Sequence, residues 1–147
     1  MNQVTLVRRI GARPSIVFEA LTTSEGISSW FGPDDGAVLS AALDVRVGGS
    51  YRIRFRRTDG TEHECTGQFL EIEAPRRIVM SWQWACGSPP EEEGDEHVSR
   101  LEYHLRPIDT GTELTLIHAG LRTEASARSH TSGWGGALDK LMRMFAH

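Results

Sequence analysis

The chain has 147 residues, a formal net charge of −4 at pH 7, 39% hydrophobic and 24% charged residues, which suits one globular domain with a real core. The acidic balance argues against a nucleic-acid surface, which needs a basic excess, and no apolar run approaches the ~20 residues of a membrane span. The first ten residues lack the layout of a secretory signal, so the cytoplasm is the expected compartment. Cys65 and Cys86, outside any CxxC pattern, then read as reduced thiols.

In chain order, Val4 to Ile10 is rich in β-branched and apolar residues and predicts a first strand. "ARPSIVFEALTT" follows, with Pro14 in a first helical turn and Ile16, Val17, Ala20 and Leu21 on one face. "SEGISSWF" predicts a second short helix with Ser24 as its N-cap, stopped by "GPDDG". "AVLSAALDVRV" (37–47) reads as a strand up to a turn at Gly48-Gly49. In "SYRIRFRR", Tyr51, Ile53 and Phe55 alternate with arginines, and Asp59-Gly60 is a hairpin signal. "HECTGQFLEIE" and "IVMSWQWA" follow as strands, the second placing Ile78, Met80, Trp82 and Trp84 on one side. "CGSPPEEEGDE" predicts an exposed acidic loop. "HVSRLEYHLRP" and "TELTLIHAG" complete the strands, and a long helix runs from about Thr123 to the C-terminus.

Strands joined by short turns must be antiparallel, and the sheet's apolar face must be covered by the one element long enough to do so. The expected architecture is a single α+β domain over residues 1–147. It has a curved antiparallel sheet of six to seven strands gripping a long C-terminal helix, with two short helices after the first strand. Gly133, Gly135 and Gly136 stand inside that last helix, where each costs roughly 1 kcal/mol relative to alanine. Either they thin the helix where it meets the sheet or a cavity mouth, or they mark a break or kink.

"WFGP", "GGSYRI", "GQFLEIEAPRRIVMSW", "TELTLIHAGL" and "HTSGWGGALDKL" occur in this order over nearly the whole chain. Together they resemble the Hsp90-ATPase-activator-homologue branch of the START-like, helix-grip superfamily. That resemblance implies an apolar cavity between sheet and helix. It implies no single activity, because the superfamily includes ligand binders, cyclases, resistance proteins and a co-chaperone domain.

Within such a cavity, Trp82 and Trp84 on the sheet and Trp134 and Leu138 on the helix would supply walls, with Trp30, Phe55 and Tyr103; the alternative is that they are simply core. His118, inward by alternation with Leu114 and Leu116, and His130, one turn before Trp134, would be polar anchors or buried histidines bonded to their neighbours. His118 and Tyr103 are the candidates for acid/base chemistry, although no nucleophile or phosphate-loop motif is present. "HEC" at His63–Cys65 lacks the partners of a metal site, so neither metal nor cofactor is expected. Arg52, Arg54, Arg56 and Arg57 read as an outward stripe matched by cross-strand Glu62 and Glu64, with an acidic partner as the alternative.

The sequence thus favours a small-molecule binder for an apolar or aromatic ligand. A cavity-based cyclase or hydrolase and a co-chaperone-like module are the alternatives. No nucleic-acid or membrane partner is expected. A homodimer through a sheet edge or the helix end, or a chaperone partner, stays open.

Overall fold

The computed structural model describes residues 2–86 and 97–146, and the acidic loop expected at 87–96 lies outside them. In chain order the elements are β1 (Asn2–Ile10), α1 (Pro14–Thr22), α2 (Ser24–Trp30), β2 (Ala37–Leu43), β3 (Ser50–Arg56), β4 (Glu62–Glu73), β5 (Arg77–Cys86), β6 (Val98–Ile108), β7 (Gly111–Leu121) and α3 (Glu124–Met144). The seven strands form one curved antiparallel sheet in the order β1-β7-β6-β5-β4-β3-β2. This is the helix-grip arrangement that the strand and helix patterns predict.

Alternation decides which side of the sheet is the core. On β3, Tyr51, Ile53 and Phe55 are buried while Arg52, Arg54 and Arg56 are exposed. The arginines pair across to β4, Arg52 with Glu64 at 2.8 Å and Arg54 with Glu62 at 2.9 Å, as the reading of a solvated, charge-matched face expects. Exposed pairs of this kind contribute a few tenths of a kcal/mol each. The weight of the fold therefore rests on the inner face, where Leu101, Tyr103 and Leu105 of β6 and Leu114 and Leu116 of β7 pack into one core with α3.

Two boundaries differ from expectation. The strand read as 37–47 ends at Leu43, because Asp44 N–H bonds to the Ser50 carbonyl (2.9 Å) and Gly49 N–H to the Arg46 carbonyl (2.8 Å), folding residues 44–49 into a tight loop. Thr23, not Ser24, caps α2, since its hydroxyl accepts from Gly26 N–H at 2.9 Å. The side chain one position earlier reaches the free N–H groups of the first turn. Trp30 at the end of α2 donates its indole N–H to the Ala20 carbonyl (2.8 Å), which locks the two short helices together.

Thr123 caps α3 by accepting from Ser126 N–H, and Ser126, His130, Trp134, Ala137, Leu138 and Leu141 form its buried stripe. The helix is continuous through "SGWGG". Of its three glycines, Gly136 alone is sterically required: a methyl there would collide with the carbonyl of Pro33, in the loop after α2. A methyl at Gly135 would meet only the tip of the Arg8 side chain, at 3.9 Å. The close approach at Gly136 is thus between helix and loop, and Gly133 borders the cavity between helix and sheet. Gly135→Ala should stabilise the protein by up to about 1 kcal/mol, whereas Gly136→Ala should destabilise it by about 1–3 kcal/mol. Urea unfolding of the two variants checks both signs.

Candidate functional site

A cavity of about 500 Å³ opens between the inner face of the sheet and the first half of α3. That volume lies within the range of small-molecule sites. Trp82 and Trp84, two apart on β5, share the inner face by parity and form its floor. Phe55 of β3 and His63 of β4 are directly paired across the strands, with rings stacked 5.3 Å apart, and make one wall. Phe31, from the loop after α2, and His130 and Trp134 of α3 make the rest.

Several of these rings pack edge-on, an arrangement that the quadrupoles of aromatic rings favour. Trp82 lies 5.4 Å from Trp84 at 88° and 5.3 Å from Trp134 at 60°. Phe31 meets Phe55 at 5.6 Å and Trp134 at 5.8 Å, both edge-on. The surface offered to a ligand is thus mostly flat, apolar ring.

Behind the rings runs a chain of buried hydrogen bonds. Indole N–H groups only donate, so the 3.0 Å contact from Trp134 Nε1 makes His118 Nδ1 an acceptor and leaves the proton of that ring on Nε2. His118 Nε2–H then donates to Ser99 Oγ at 2.7 Å, and the Ser99 hydroxyl donates onward to the Trp82 carbonyl at 3.4 Å. By the same logic Trp84 Nε1–H donates to His130 Nε2 (3.4 Å), and His130 Nδ1–H donates to the Ser126 carbonyl (2.9 Å). The two imidazoles sit 4.8 Å apart. Burial, and secondarily the neighbouring His130, hold His118 well below its ordinary value of 6.5. It is a neutral imidazole by environment as well as by hydrogen bonding.

The structure brings Phe55, Trp82, Trp84, His130 and Trp134 together around the cavity. Trp30, Tyr103, His118 and Leu138 face the same side of the sheet but lie in the packed layer behind it, all at most 3% exposed. Tyr103 touches the Trp134 ring edge-on at 6.4 Å, and burial pushes its phenol far above the usual range. Neither His118 nor Tyr103, the two side chains singled out for proton transfer, is among the residues that line the cavity.

Sequence reasoning missed Phe31, His63, Arg57 and Arg128, all of which line it. Arg57 is a correction: it does not belong to the outward stripe. It carries on the inward parity of Tyr51, Ile53 and Phe55 just beyond the end of β3, and two consecutive residues cannot share one face of a strand. Its backbone starts the hairpin turn, donating to the Thr61 carbonyl (2.8 Å) and accepting from Gly60 N–H (2.9 Å). The "HEC" residues split in the same way, His63 and Cys65 inward and Glu64 outward against Arg52.

A seven-stranded antiparallel sheet wrapped on one long helix, with an aromatic cavity at the seam, defines a helix-grip domain. Residues 11–146 match the model of the family "Activator of Hsp90 ATPase homolog 1-like protein", and the chain belongs to that family. Among solved structures, a protein from Chromobacterium violaceum is similar at 22% identity, with a TM-score of 0.82 over 98% of this chain and 96% of that one. The AHSA1 protein of Silicibacter pomeroyi is similar at 20% identity, TM-score 0.82, over 97% and 96% of the two chains. An AHSA1-like protein of Aeromonas hydrophila is similar at 19% identity, TM-score 0.75, over 97% and 90%. At these identities the likeness is one of fold. Among curated proteins, none matches significantly. No helix among the described residues is long and apolar enough to cross a membrane.

The neutral His118 gives stability a pH dependence with a definite sign. Its folded value lies below 6.5, so below about pH 6.5 the unfolded chain binds the extra proton and stability falls. The slope is about 1.4 kcal/mol per pH unit for one proton. Denaturant unfolding at pH 7.5 and pH 5.0 should show this loss, and His118→Gln should flatten the curve across that window.

Proposed function

We propose that the protein binds an apolar or aromatic small molecule in the cavity between the sheet and α3. The observation that carries this reading is a cavity of about 500 Å³ whose walls are Phe31, Phe55, Trp82, Trp84 and Trp134. Packed cores close such spaces, because unfilled volume forfeits dispersion contacts. Here the flat faces left around the space suit a planar or greasy body.

The family and fold suit a ligand-binding or a co-chaperone-type module. A role confined to surface docking would leave the cavity without a task, and the cavity supports the small-molecule reading. Acid/base chemistry of the cyclase or hydrolase kind has less support, because His118 and Tyr103 lie behind the lining residues. His118 would act on a ligand indirectly, through the lining residues Trp82, His130 and Trp134 that it packs against or hydrogen-bonds.

Intrinsic tryptophan fluorescence, followed while fatty acids, flavonoids, sterols and polyketide-like aromatics are added in turn, tests the reading. At least one class should give a saturable change. Trp134→Ala, in a variant with native circular dichroism, should weaken it by tenfold or more, as loss of a buried aromatic anchor does. Trp30→Phe, changed in the layer behind, should leave the affinity within about twofold while lowering stability. A flat response to every class, or wild-type affinity in Trp134→Ala, would sink the proposal.

A further inference from the structure

The cavity has a charge character that its aromatic walls do not explain. Among the described residues that line it are two arginines, Arg57 and Arg128, and no aspartate or glutamate. Six arginines on β3, β5 and β6 are closely paired. Arg52, Arg54, Arg56, Arg77, Arg100 and Arg106 each hold a carboxylate within 3.3 Å. Arg57 and Arg128 have no ion pair among the described residues.

Arg57 is the more telling of the two. It is half-buried, and its Nε is shut off from solvent with no hydrogen-bond acceptor. Asp34 is near enough to feel its charge. However, one Asp34 oxygen accepts from Gly36 N–H and the other from the backbone and hydroxyl of Thr58, so no ion pair forms. A second donor without an acceptor, Nε1–H of the lining residue Trp82, is fully buried. Leaving a buried donor unmet is costly, the more so when it is charged. Two arginines on one cavity, with no carboxylate among its described lining residues, offer cationic donors that an oxyanion would complement.

We infer that the ligand is an amphipathic anion, a planar apolar body carrying one carboxylate- or sulfonate-type group. This rests on the cavity reading above and adds the charge. The body lies against Trp82, Trp84 and Trp134, and the oxyanion meets the guanidinium groups of Arg57 and Arg128. Arginine suits the task because its planar fork of donors matches the geometry of such a group. In a protein with a net charge of −4, the overall field repels anions, so selection for one must come from local charges of this kind.

The test uses two fluorescent probes with the same apolar framework, 8-anilinonaphthalene-1-sulfonate and its uncharged counterpart N-phenyl-1-naphthylamine. The wild-type protein should bind the sulfonate at least tenfold more tightly than the neutral probe. Arg57→Gln should lower sulfonate affinity about tenfold or more, the loss expected for a charge-assisted hydrogen bond, and leave the neutral probe within about twofold. Retained binding of the neutral probe shows that the variant is folded. Arg128→Gln, at an exposed position, should act in the same direction with a smaller effect. Equal affinities for the two probes in the wild type, or an Arg57→Gln variant with an unchanged preference, would overturn the anion while leaving the cavity reading in place. Binding of neither probe would overturn both.

Discussion

The hydrogen bond from the Trp134 indole to His118 fixes the seam on which everything else depends. An apolar helix face can slide or rotate on an apolar sheet at modest cost, because hydrophobic contact is non-directional. A buried donor with a single acceptor is directional, and losing it would strand an indole N–H and an imidazole nitrogen in a dry interior. The bond therefore picks one rotation of α3 out of several that would bury similar area. With that rotation set, His130 falls one turn earlier against Trp84, and Gly136 falls where the Pro33 carbonyl needs it. The relay through Ser99 to the Trp82 carbonyl anchors the acceptor to the sheet in turn.

Much of this was legible in the sequence. Strict alternation on β3, β6 and β7 places the inner face, and the apolar spacing of α3 supplies the element that covers it. Parity correctly put Trp82, Trp84 and His118 on that face. Parity says nothing about depth along the seam, however, and so it could not separate Trp82 at the cavity from Tyr103 and His118 in the layer behind. That distinction is set by where the helix, the hairpin turn and the loop after α2 leave a gap. Phe31 was hidden for a related reason: it belongs to a loop, where no period marks its direction.

Arg57 shows how one sequence signal can mask another. Four arginines within six residues suggest a single charged stripe, and that reading overrides the alternation that separates Arg56 from Arg57. The two neighbours live in opposite settings, Arg56 beside Glu62 on the outer face and Arg57 on the cavity wall. Arg128 escapes for the opposite reason, since an exposed arginine on the polar side of a helix is unremarkable until the hairpin turn is seen across from it.

The contact between Gly136 and Pro33 also fixes one wall of the cavity. Lys140, one turn further along α3, donates to the carbonyls of Phe31 and Asp34, so the loop after α2 is held to the helix at two successive turns. With no room between helix and loop, that wall moves only together with α3 itself. The rest of the lining lies on the other side, between the β3–β4 hairpin turn, with Arg57, and the first two turns of α3, with Arg128. The two guanidinium groups therefore stand on the side of the cavity away from that fixed wall.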